Sequence, residues 1–109
     1  MNSRNVTILN KIIVESETVA QILKGIDETS FLSNEEKMRA VCMTLINIGE
    51  LIKNLDDSFR GNNIHIPWRQ MAGFRDIAAH GYFTLKMEDV WKYASNELPL
   101  LLVKIKDIR

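Results

Sequence analysis

From Met38 to Phe59 the apolar residues return at intervals of three and four: Met38, Val41, Cys42, Leu45, Ile48, Gly49, Ile52, Leu55 and Phe59. That spacing puts them on one side of a helix, which must be buried against something else. No alternating pattern competes, so the stretch reads as the central helix of the chain. Its start is marked by "SNEEK", where Ser33 or Asn34 can cap free backbone N–H groups and the glutamates suit the positive end of the helix dipole. A second stripe precedes it between Asn5 and Ile26, through Leu9, Ile12, Ile13, Val19, Ala20, Leu23 and Ile26, with a polar gap at Ser16.

"RGNNIHIP" interrupts the periodicity with glycine, asparagines and proline, and predicts a loop from about Gly61 to Ile66. Pro67 suits the first turn of a third helix, predicted to carry "WRQMAGFRDIAAH" and to stop at Gly81. A last helical stripe runs through Met87, Val90, Trp91, Ala94, Leu98, Leu101, Leu102, Ile105 and Ile108, with Pro99 expected to kink or divide it near Asn96 to Leu98. The expected fold is all-α, an antiparallel bundle of four to five helices. Ala40, Met43, Ile46 and Leu51 widen the apolar face of the central helix beyond what one bundle needs, which favours dimerisation.

At 109 residues there is room for one domain, taken as 1–109, and 46% hydrophobic with 26% charged residues is a globular composition. Fourteen basic residues balance fourteen acidic ones, so no global basic field attracts nucleic acid and a polyanion must be gripped locally. Cys42 is the only cysteine, which rules out an internal disulfide and disfavours a cysteine zinc site. The start lacks a signal peptide's long apolar stretch, and "LPLLLV" falls far short of the roughly 20 residues that span a bilayer. A cytoplasmic protein with no membrane association and no cofactor is expected.

"RDIAAHGY", Arg75 to Tyr82, admits two readings. In one it is a helix end: histidine complements the negative end of the dipole, glycine closes the helix and tyrosine packs back. In the other it is a site. Asp76, one turn before His80, would fix the imidazole tautomer and raise its basicity, and an unperturbed imidazole near pKa 6.5 suits proton transfer. Arg75 lies roughly 140° around a regular helix from His80, so the two would flank a groove wide enough for a phosphodiester. Its guanidinium would brace the charge on the phosphate, with Ala78 and Ala79 keeping the surface low between them. Tyr82 could stack on a base or donate to a phosphate.

The stretch matches R-x-x-x-x-H-x-Y, the motif of the HEPN (higher eukaryotes and prokaryotes nucleotide-binding) superfamily. "IGELIKNL", "IPWRQMAGFR" and "GYFTLKMEDVWKYASNELPLL" resemble its HepT-like branch in order and spacing. The resemblance covers nearly the whole chain. It implies an all-α, HEPN-like homodimer with both motifs facing one cleft, and a metal-independent endoribonuclease acting as the toxin of a type VII-like toxin–antitoxin pair. Arg75 and His80 are then the catalytic residues, and Tyr82 is the position to which a minimal, MntA-like nucleotidyltransferase antitoxin transfers AMP. Asp76 fills a place where the superfamily commonly has a polar residue. Glu50, in "IGE", recurs in the family pattern and would support the motif across the bundle.

Other polar positions carry weaker signals. Asn47, Glu50 and Asn54 share one side of the central helix, as a solvated face would. His65 sits in the predicted loop, Trp68 and Trp91 suit helix anchors, and Lys104, Lys106 and Arg109 form a small basic cluster near the end. A non-catalytic reading stays open beside the enzyme: a nucleotide- or RNA-binding interaction module that partners a nucleotidyltransferase.

Overall fold

The computed structural model describes residues 2–76 and 84–109. Helix α1 spans Ser3–Leu23, α2 Glu28–Leu32, α3 Glu35–Lys53, α4 Asp57–Gly61 and α5 Trp68–Ala72, which runs on into a 3-10 turn at Gly73–Asp76. Beyond the undescribed stretch come α6 (Met87–Lys92), a π-helical segment (Tyr93–Glu97) and α7 (Leu98–Ile108). No strand occurs among the described residues, and the architecture is the expected all-α bundle.

α1 and α3 form its centre, and both begin on an asparagine cap: the side chain of Asn2 accepts from the N–H of Asn5 at 2.8 Å, and that of Asn34 from Lys37 at 3.0 Å. Of the two predicted caps at "SN", Asn34 is the one used. The helices are antiparallel. Lys37, at the start of α3, donates through Nζ to the carbonyl of Ile22 at the end of α1 (3.0 Å), whereas Asn5 at the start of α1 meets Asp56 just past α3. α7 returns along α1 in the opposite sense, with Arg109 on Asn10 and Lys106 on Glu17. The predicted stripes bury Leu9, Ile12, Ile13 and Val19 from α1, Val41, Leu45, Ile48 and Ile52 from α3, and Leu98, Leu101 and Ile105 from α7. Each such side chain is worth about 1.5–3 kcal/mol when removed from water.

Ser16, the apparent gap in the first stripe, is buried after all, because its hydroxyl donates back to the carbonyl of Ile12 at 2.8 Å. α1 ends before the predicted Ile26: Gly25 takes φ +77°, a left-handed conformation that closes the helix. The central helix is shorter than its stripe. It stops at Lys53, and Leu55 and Phe59 pack from the connection and from α4, a separate helix. The short α2, capped by Asp27, was not legible as a stripe of its own.

The third helix departs most from expectation. Among the described residues it is α-helical over Trp68–Ala72 and tightens to 3-10 at Gly73–Asp76; the predicted remainder to Gly81 lies outside them. The predicted break in the last helix takes the form of a π segment. The N–H of Leu98 reaches back five residues to the carbonyl of Tyr93, the wide turn directly preceding Pro99, which has no N–H to give.

Candidate functional site

Arg75 enters the bundle on the 3-10 turn, and α3 lies against that turn closely. A Cβ placed on Gly49 would sit 3.0 Å from the carbonyl oxygen of Ala72, 3.0 Å from the backbone nitrogen of Arg75 and 3.3 Å from its Cβ. An alanine here would press the turn away by a few tenths of an ångström. The next residue, Glu50, directs its Oε1 to the Nε of Arg75 at 3.6 Å, with the arginine side chain 35% exposed and the glutamate 56%. On the same turn, Phe74 packs on Tyr93 of the π segment, ring centroids 4.7 Å apart at 45°. Tyr93 is buried, and its phenol is pushed well above the ordinary range, first by that burial and then by the charge of Glu97.

Arg75 and Glu50 are thus brought together, and Asp76 follows on the same turn with its side chain exposed. His80, Tyr82, Ala78 and Ala79 lie outside the described residues. Because Arg75 and Asp76 stand on a 3-10 turn, the α-helical spacing used to relate them to His80 does not hold at their end of the motif. Glu50 is not simply part of a solvated face. Its backbone carbonyl also accepts from Asn54 Nδ2 at 3.0 Å, and Asn47 reaches Glu15 on α1 at 3.3 Å. An open groove of about 690 Å³ runs between α1 and α3 at this point, with Asn10, Lys11, Val14 and Glu15 on one bank and Asn47 and Glu50 on the other.

The remaining candidates have structural explanations. Trp68 is buried and donates from its indole to the carbonyl of Asn63 at 3.1 Å, and Trp91 packs on Phe31, ring centroids 5.4 Å apart. Both anchor helices. His65 is exposed in the loop, and Lys106 and Arg109 contact α1. Cys42 is buried, which pushes its thiol up to about 11 and keeps it a neutral thiol at pH 7. Among the described residues, no group of three or more His, Cys, Asp or Glu side chains is placed to hold a metal ion.

Sequence reasoning missed the contributions of Gly49, Phe74 and Tyr93. The signal for the first was present: a glycine in mid-helix costs about 0.5–1 kcal/mol against alanine, and close packing is a usual reason for keeping one.

An all-α bundle that presents the arginine of an R-x-x-x-x-H-x-Y stretch at a glycine seam defines the class, a small protein of HEPN type. The family model described as "Ribonuclease HepT-like" matches residues 12–108, and the chain belongs to that family. A protein named "Putative RNase TTE0752" from Caldanaerobacter subterraneus subsp. tengcongensis is 34% identical over 92% of this chain and 89% of its own length. "Probable ribonuclease HepT" of Thermococcus cleftensis is 32% identical over 85% of this chain and 84% of its own length. "Putative RNase MJ1380" of Methanocaldococcus jannaschii is 29% identical over 97% and 98%. No solved structure matches this chain.

Proposed function

We propose that this protein is a metal-independent endoribonuclease that works as a homodimer, with Arg75 and His80 of two copies facing one cleft. The observation that carries the reading is the family match across residues 12–108, which contains the whole motif. The held position of Arg75 supports it: a guanidinium fixed at a seam and still one-third exposed is suited to a phosphodiester oxygen.

The chemistry gives the dimer a reason. One imidazole takes the proton of the ribose 2′-hydroxyl as that oxygen attacks phosphorus. The bond from phosphorus to the 5′-oxygen then breaks, and a second imidazole, protonated, gives its proton to the departing oxygen. The products are a 2′,3′-cyclic phosphate and a free 5′-hydroxyl. Two copies of His80 supply base and acid at once, and Arg75 stabilises the charge gathered on the phosphorane. The biological setting we infer is a type VII-like toxin–antitoxin pair. In it a minimal nucleotidyltransferase moves AMP from ATP to the hydroxyl of Tyr82 with loss of pyrophosphate, and the added phosphate excludes RNA from the cleft.

The test is cleavage of RNA in EDTA by protein whose intact mass shows no modification, beside Arg75→Ala and His80→Ala variants with unchanged thermal unfolding. We expect each variant to lose at least about a hundredfold in rate, in the range for removing an acid–base or charge-stabilising group, and cyclic phosphate at the new ends. No cleavage of any RNA class by the unmodified protein would replace this reading with that of a non-catalytic interaction module, which the zero net charge of the chain also fits.

A further inference from the structure

We infer that Gly49 and Glu50 of α3 are positioning residues for Arg75: the glycine sets the distance of the arginine's backbone from the central helix, and the glutamate sets the direction of its side chain. The inference rests on the ribonuclease reading and adds to it a device outside the motif.

Three contacts converge on the turn that carries Arg75. Gly49 lies under it, so close that a single added methyl group meets backbone atoms at 3.0 Å on two residues. Backbone cannot swing aside as a long side chain can, so the turn would have to lift by a few tenths of an ångström. Phe74, the residue before Arg75 on the same turn, packs its ring on Tyr93, with centroids 4.7 Å apart. The turn is thus met by α3 at Gly49 and by the π segment at Tyr93. Glu50 acts on the arginine's own side chain, approaching Nε, the guanidinium nitrogen nearest its stem, at 3.6 Å.

The ion pair is not there for stability. Both partners are more than a third exposed, and solvent-screened pairs of this kind contribute little. Nor does a carboxylate help to bind a polyanion, since it repels one. Its value lies in orientation: a guanidinium already held in place loses less freedom when it engages the phosphorane. Removing Glu50 should then slow the chemical step without weakening RNA binding, whereas a residue that merely held the fold together would affect both through stability.

The experiment uses full-length, unmodified protein and an RNA oligonucleotide that the wild type cleaves, with kcat and KM measured for Glu50→Ala, Glu50→Gln, Gly49→Ala and Arg75→Ala. The Glu50 variants are the decisive ones, because the side chain is exposed and its loss leaves the core intact. We expect kcat to fall about three- to fivefold in both, as the energy of an exposed pair allows, with KM unchanged or lower. In Gly49→Ala a drop of about tenfold is expected for a displacement well short of an ångström. The NMR signal of the Arg75 Nε–H group gives a readout independent of activity: it should shift and exchange faster with water in Glu50→Gln. Wild-type kcat in the Glu50 variants, or a loss that lies wholly in a raised KM, overturns the positioning role while Arg75→Ala remains inactive. An Arg75→Ala protein that cleaves like the wild type instead sinks the ribonuclease reading underneath.

Discussion

Asn5 is almost fully buried at 3% exposure, and every polar atom of its side chain is answered by Asp56. Its Nδ2 donates to the carboxylate at 3.1 Å, and its Oδ1 accepts from the Asp56 N–H at 3.3 Å. Asn2 and Arg4 reach the same carboxylate at 2.9 and 3.2 Å. The side-chain hydrogen bond from Asn2 first, then that from Asn5 and the charge of Arg4, hold the carboxyl below the usual range for an aspartate. A carboxylate whose folded pKa is depressed contributes its stability above the unfolded value of about 3.9, and loses it as pH falls through the folded value. Asp56→Asn should therefore flatten the acid limb of a stability-versus-pH curve below about pH 4, read by urea denaturation at a series of pH values. An unchanged limb would show that the tie between α1 and the segment after α3 does not form in solution. Nothing at Asn5 announced this role, because a buried asparagine and an exposed one look alike until the partner fifty-one residues away is known.

Helix ends were easier to read than helix lengths. Asn34 caps α3 as its sequence implies, so Asn34→Ala should cost about 1 kcal/mol, measured as a lower urea midpoint with an unchanged slope; an unshifted midpoint would mean that Ser33 takes over the cap. Lengths failed where two elements share one stripe. Leu55 and Phe59 continue the spacing of α3, yet they arrive on the core after the helix has ended, because an apolar pattern records which residues are buried and not whether the backbone between them stays helical. The 3-10 turn at Gly73–Asp76 has the same origin. Its residues are compatible with an α-helix, and what meets them is the surface of α3 at Gly49 and the ring of Tyr93. Pro99 was a sound marker of a break, although the break became a π turn on its N-terminal side rather than a division.

For the molecule as a whole, the proposed cleft needs a second copy. Sedimentation should give twice the chain mass of 12.6 kDa, and a monomer that cleaves RNA would remove the two-histidine mechanism. Val14 and Met43 are large apolar side chains left 61% and 59% exposed on α1 and α3. Ala40, Ile46 and Leu51, the rest of the widened face, are partly covered within one copy. The proposed modification also belongs at this level, because it would require another protein: incubation with a cognate nucleotidyltransferase and ATP should raise the intact mass by AMP units, and Tyr82→Phe should stay unmodified.

Hydrophobic spacing, capping residues and the Gly and Pro breaks were enough for the all-α class and for the order of the main helices, because burial of one helix face is a local periodic property. The motif letters were likewise enough to place the chain in its family. Local pattern could not supply the seat of Arg75. Gly49 and Glu50 lie some twenty-five residues before it in the chain, and Tyr93 eighteen after it. That they meet on one turn follows from how closely α3, the 3-10 turn and the π segment pack, which depends on long-range fit rather than on any neighbouring residue.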